Sequence, residues 1–200
     1  MKKLLNISLY SLITLFSNLS YVHAEEITYE WFKTQTKNTT ANDLVWEKDF
    51  KNFLKKNISP IKIYLGMNKG KKKVPLVESY FKVLSGAPYK IIYKKNKRYV
   101  FTNACRYQSC GEKGVIFLDT KKKYTIGLIR HSLFNDTKFT SDPDFLIFSK
   151  NHKSFDEIPT IFIEMVKEWI TTSHMNSSPS KVRFIGSNNN VAEVTKEFNK

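Results

Sequence analysis

Apolar residues recur along this chain in two periods, and the switches between them mark its elements. Ile27 to Lys33 reads as a short helix or an edge strand. Asn42 or Asp43 then offers an N-cap, and Trp46, Phe50, Phe53 and Leu54 recur on one helical face. That helix is expected to end near Asn57, because Pro60 disfavours helical geometry in the residue before it. Ile61, Ile63 and Leu65 next alternate with Lys62 and Tyr64, the period of a half-buried strand. Met67 to Val74 is a lysine-rich loop, with Gly70 inside it and Gly66 just before it.

The middle of the chain predicts strands. Tyr89–Tyr93, Tyr99–Asn103, Val115–Asp119 and Tyr124–Arg130 are rich in β-branched and aromatic residues. The short connections Lys94–Arg98 and Thr120–Lys123 suit hairpins, while Ala104–Gly114 is longer. A further strand is expected over Phe145–Phe148. In the helix after it, Ile161, Phe162, Met165, Val166, Trp169 and Ile170 form an apolar stripe, with Pro159 in the first turn. Trp169, Trp46 and Phe162 are the expected core between helix and sheet. The expected fold is α+β, an antiparallel meander of about five strands with helices packed on one face. Residues 25–175 make the domain, and 176–200 read as a polar C-terminal tail with one apolar run at Val182–Ile185.

The N-terminus changes the picture. Lys2 and Lys3 precede an apolar run from Leu4 to Leu19, too short to span a bilayer, and Val22-His23-Ala24 supplies small residues for a cut. Residues 1–24 are thus expected to be a signal peptide, and the mature protein periplasmic or secreted. The full chain carries 33 Lys and Arg against 18 Asp and Glu, a net +15. Only four of the cations are arginine: Arg98, Arg106, Arg130 and Arg183. Base readout and bidentate phosphate clamps favour the guanidinium fork, so the charge reads as a hydrated surface and no nucleic-acid partner is expected. Attraction to an anionic envelope surface stays open.

Candidate chemistry is sparse. The two cysteines, Cys105 and Cys110, enclose Arg106-Tyr107-Gln108-Ser109. In an oxidising compartment so close a pair is expected to form a disulfide, either a structural staple or the frame of a functional loop. A redox enzyme more often carries Cys-x-x-Cys, and a zinc site needs two further ligands. His131, His152 and His174 lack ligand spacing and are assigned solvated or capping roles, so no metal or cofactor is expected. Glu164 and Glu168, one turn apart, read as a solvated pair, and Ser109 has no nearby histidine to activate it. Gly114 and Gly127 mark bulges or close strand approaches. No enzyme is expected.

The run Tyr99-Val-Phe-Thr-Asn-Ala-Cys-Arg-Tyr-Gln-Ser-Cys-Gly-Glu-Lys-Gly-Val-Ile-Phe-Leu, continuing to Tyr124-Thr-Ile-Gly-Leu-Ile, resembles the core of the inhibitor of vertebrate lysozyme (Ivy) family. Phe50-Lys-Asn-Phe-Leu with Ser59-Pro60-Ile61 is similar to that family's helix and following strand, and the apolar helix around Phe162–Ile170 also fits. The resemblance spans roughly residues 43 to 172, with Lys69–Pro88 and the tail as departures. It implies an inhibitor that places a disulfide-closed loop, Cys105–Cys110, in the active-site cleft of a C-type lysozyme or related muramidase. Arg106, Tyr107, Gln108 and Ser109 stand at the family's lysine, proline, histidine and aspartate. Gln108 can donate through its amide and Arg106 can fork onto a carboxylate, but Gln108 cannot take up charge. That substitution leaves the target open among lysozymes, lytic transglycosylases and other cell-wall glycosidases. The alternative on the same scaffold is a non-inhibitory basic protein binding anionic cell-wall or lipid polymers. Homodimerisation is a further open partnership.

Many C-type lysozymes are themselves basic, and like charges disfavour docking. In a meander, however, alternate connections lie at opposite ends of the sheet. Lys94–Arg98 and Lys121–Lys123 are therefore expected at the end away from the cysteines, about 17 Å off for five-residue strands, or roughly two Debye lengths.

Overall fold

The computed structural model describes residues 27–63, 73–131, 143–173 and 179–200. The expected signal peptide, most of the Met67–Val74 loop and His174 lie outside the described residues. The chain order is α1 (Trp31–Thr34), α2 (Ala41–Val45), α3 (Phe50–Asn57), β1 (Lys62–Ile63), β2 (Val74–Pro75), α4 (Leu76–Val83), β3 (Ile92–Lys94), β4 (Tyr99–Arg106) and β5 (Ser109–Asp119). It continues through β6 (Tyr124–His131), β7 (Asp144–Phe148), a 3-10 turn (Phe155–Glu157), α5 (Thr160–Thr172), β8 (Lys181–Ile185), β9 (Val191–Glu193) and α6 (Thr195–Phe198). No helix among the described residues is long and apolar enough to cross a membrane.

The fold is α+β. A seven-stranded sheet runs β3-β4-β5-β6-β7-β8-β9, and β1 pairs with β2 separately. Every neighbour is antiparallel except β7 and β8, which run parallel because the chain between them detours through α5. The expected five strands therefore become seven. The two extra strands come from residues read as a tail: Val182, Phe184 and Ile185 are buried in β8, and Phe198 of α6 is 2% exposed. A short apolar run suffices there because β8 lies inside the sheet, with partners on both sides.

The helices cover both faces of the sheet, not one. Strand side chains alternate with period two. Val100, Ile116, Leu118 and Leu146 face a core shared with α1 to α4. Phe101, Val115, Phe117, Leu128 and Phe145 face a second core built with α5 and α6. Fully burying each such side chain contributes about 1.5–3 kcal/mol. Phe117 meets Phe162 of α5 edge-on, with centroids 5.5 Å apart. On the other face Tyr80 of α4, wholly buried, donates its hydroxyl to the Val115 carbonyl at 2.5 Å. Gly114 lets α4 approach β5, since a Cβ there would lie 2.8 Å from Val83. Gly127 likewise makes room for the Phe148 ring.

Trp46 is 75% exposed and outside the core. The helix expected through it is in fact two. Thr40 and Asp43 form a capping box that starts α2, and the chain then turns before α3. Trp46 caps the end of α2 rather than lying on the face of α3. Two of the histidines expected in solvated or capping roles are buried: His131 fully, and His152 at 8% exposed. His152 Nδ1 lies 2.8 Å from Ser149 Oγ and its ring packs edge-on against Tyr124. Burial lowers its pKa, opposed by Glu157.

Candidate functional site

The cysteines sit where β4 turns into β5. Arg106 pairs with Ser109 across a two-residue turn, Tyr107-Gln108, with Gln108 in the left-handed region at φ 59°. One step back, Cys105 pairs with Lys113, so Cys110, Gly111 and Glu112 bulge from β5 with no ladder partner. A bulge of this kind frees backbone groups and re-aims side chains. Here the gap is tied three ways. The Cys105–Cys110 disulfide spans it, with Cα atoms 4.8 Å apart. Arg106 Nη1 donates to Glu112 Oε2 at 2.7 Å, and Arg130 Nη1 of β6 donates to the Gly111 carbonyl at 2.6 Å.

The other side of β4 is braced by residues 86–89. Gly86 N donates to the Cys105 carbonyl at 2.7 Å, Cys105 N to the Ala87 carbonyl at 3.1 Å, and Tyr89 N to the Asn103 carbonyl at 2.9 Å. Gly86 is packed against the tip itself. A Cβ at this position would fall 2.6 Å from both the Arg106 carbonyl carbon and the Tyr107 nitrogen, and closer still to the Cys105 oxygen. Only glycine allows that approach.

These restraints leave a small projecting tip. Tyr107 is 68% exposed, and Gln108 and Cys110 are also exposed. The four residues between the cysteines are thus brought together, but their states differ. Arg106 is engaged by Glu112, whose side chain is only 12% exposed, so its guanidinium is a strut and not the free fork anticipated for it. Ser109 is half-buried in the ladder. Tyr107 and Gln108 alone are presented outward. Glu112, Arg130 and Gly86 are supporting residues that sequence reasoning did not assign. An acid six residues after an arginine becomes a partner only once the bulge has shortened the path.

The charge layout agrees with the expected segregation. Thr120 N donates to the Arg98 carbonyl at 2.9 Å, which holds the Lys94–Arg98 and Thr120–Lys123 turns side by side. They lie at the far end of β4 and β5, where Tyr99 pairs with Asp119. β4 has eight residues, so its seven steps separate that end from the tip by about 23 Å, roughly three Debye lengths. Arg98 grips the buried Asp119 through Nε and Nη2 at 3.1 and 2.9 Å. Burial raises the Asp119 pKa, but Arg98 and the Lys121 and Lys122 amides outweigh it and hold the carboxyl below its ordinary range. Besides the paired Arg106, the tip end keeps two further cations, Lys113 and Arg130. Burial, and for Lys113 also Arg130, lowers their pKa values.

Glu164 and Glu168 are exposed on α5, and Glu168 faces Lys94 at 3.5 Å. Among the described residues, no group of three or more His, Cys, Asp and Glu is placed to hold a metal ion. Comparison of the chain with protein-family models, with curated proteins and with solved structures finds no match.

Proposed function

We propose that this protein, in the periplasm or outside the cell, inhibits a peptidoglycan-cleaving glycosidase by lodging the Tyr107-Gln108 tip in its catalytic cleft. The observation that carries the reading is a convex, covalently closed tip, braced on both flanks and presenting two side chains outward. A retaining glycosidase sets a protonated acid and an ionised carboxylate about 5 Å apart. The Gln108 amide is complementary to that pair: its nitrogen donates to the carboxylate and its oxygen accepts from the acid. Tyr107 supplies an aromatic anchor of the type that dominates interfaces. Because the tip is rigid before contact, little ordering entropy is lost on binding. Arg106 contributes by holding the turn through Glu112.

The resemblance to the inhibitor of vertebrate lysozyme family supports the same reading, and Gln108 in place of the family histidine points to an uncharged contact. The test is inhibition of a panel of lysozymes and lytic transglycosylases. Tyr107→Ala and Gln108→Ala are each expected to weaken inhibition of the true target by about 10- to 100-fold, matching loss of a hot-spot residue. Arg106→Ala should weaken it less, and reducing the disulfide should abolish it. If both tip variants inhibit as the wild type does, the assignment is wrong.

A second reading rests on the separate basic end. Lys121, Lys122 and Lys123 are exposed beside Lys95, a surface suited to an anionic envelope polymer and independent of the tip.

A further inference from the structure

Three of the four arginines are matched to a carboxylate: Arg98 to Asp119, Arg106 to Glu112 and Arg183 to Asp144. Arg130 is the exception. Its Nη1 donates instead to the Gly111 carbonyl at 2.6 Å. Directly opposite it in the β5–β6 ladder stands a second cation, Lys113. Among the described residues, no Asp or Glu lies within ion-pair distance of either. Like charges facing each other across antiparallel strands are destabilising, and half-burial of both side chains adds a desolvation cost.

The pair also has a definite place. Lys113 and Arg130 continue the alternation of Val115, Phe117, Ile126 and Leu128, so both stand on the face of the second core. Lys113 Nζ lies 5.9 Å from the centre of the Tyr89 ring, itself 44% exposed. Lys113 pairs with Cys105 of β4, two residues short of Tyr107, or about 7 Å along the strand. That is within one Debye length of the tip. A partner seated on Tyr107 and Gln108 alone would fall far short of the roughly 800 Å² that each protein buries in a standard interface. It must also rest on a flank of the tip, and this flank offers two cations and an aromatic ring.

We propose that Lys113 and Arg130 form a clip for a carboxylate, an Asp or Glu side chain at the rim of the partner's cleft. Its place on the partner rests on the reading of the tip as the part that enters that cleft; its chemistry does not. A carboxylate set between the two cations offsets their repulsion and accepts hydrogen bonds from both. It also completes for Arg130 the pairing that the other three arginines already have. A cationic rim would meet two like charges, and a neutral one would desolvate them further with nothing in return. The clip therefore selects among targets, favouring those with an acid beside the catalytic groove.

The test of the chemistry titrates the full chain with acetate at constant ionic strength and follows the Nε–H resonances of its arginines. Arg130 is identified by the loss of its signal in Arg130→Lys. That signal should move and saturate, while those of Arg98, Arg106 and Arg183 stay fixed. Lys113→Gln should weaken the response about tenfold, the effect of one lost charged contact. An Arg130 signal unmoved at high millimolar acetate, or four signals moving together, overturns the clip. So does tighter binding of dimethyl phosphate, a monoanion of the same charge, which would assign the site to a phosphodiester.

The test of its place uses Lys113→Glu, which gives Arg130 a carboxylate within the chain. The urea midpoint of this variant should rise, showing that it folds. Its inhibition of the glycosidase found in the panel should fall by tenfold or more, and further than that of Lys113→Gln. Inhibition equal to that of the wild type overturns the placement on the partner. A panel in which the wild type inhibits nothing defeats the reading of the tip instead, and the rim assignment with it, while the acetate titration still decides the clip.

Discussion

Replacing Gly86 by alanine tests the bracing of the tip most directly. The φ of Gly86 lies outside the left-handed region, so alanine fits the backbone conformation. On that ground alone it should stabilise the protein by about 0.4–1 kcal/mol by restricting the unfolded chain. The new methyl, however, would meet the Arg106 carbonyl carbon and the Tyr107 nitrogen at 2.6 Å. Reaching ordinary contact at 3.4 Å needs a relative shift of about 0.8 Å from these two atoms, and a larger one from the Cys105 oxygen. The obstacle is backbone, held by a disulfide and by a 2.7 Å bond from Gly86 itself, so it cannot swing aside as a side chain would. Overpacking of this kind costs about 1–3 kcal/mol, and loss of the Gly86–Cys105 hydrogen bond adds about 1 kcal/mol. Net destabilisation of about 2 kcal/mol is expected, read as a lower urea midpoint at unchanged slope. Amide shifts should concentrate in residues 104–109. A midpoint equal to or above that of the wild type would refute the close approach, because the entropic gain would then stand alone.

Two other outcomes follow from the opposite end of the ladder. The folded-state pKa of Asp119 is depressed, so its contribution is present above the unfolded value of about 3.9 and lost as pH falls through the folded one. Urea midpoints of the wild type should therefore fall below about pH 4, while Asp119→Asn should be less stable at neutral pH and flatter in acid. Equal slopes for both proteins would rule this out. Replacing Lys121, Lys122 and Lys123 together by glutamine should weaken retention on an anionic polymer and flatten its salt dependence, with muramidase inhibition unchanged. Loss of inhibition in that variant would contradict the separation of the two ends.

The central strands were legible because their side chains carry the signal locally. Val115-Ile116-Phe117-Leu118 is a continuous apolar run, and such a run implies burial on both faces, so the second helical layer was readable there too. The helix Leu76–Val83 also had its signature, with Leu76, Val77, Tyr80 and Val83 at helical spacing. It was obscured by the lysine-rich stretch before it. Trp46 misled because it shares a helical period with Phe50 and Phe53, whereas Thr40 and Asp43 had already fixed a separate helix start. The tip residues were legible from the cysteines, but the commitment of Arg106 to Glu112 was not, since it depends on a register jump. Nothing local in the sequence marks His131 as buried or Gly86 as packed beneath the turn. Those are properties of who lies opposite whom.

The β4–β5 ladder joins a heavily cationic pole to a projecting nose of mostly neutral side chains. Near a positively charged protein such a body feels a torque as well as a push: its crowded lysines swing outward and the nose comes round to the front. Repulsion that would merely slow a uniformly charged particle can here select the heading at which the two surfaces meet.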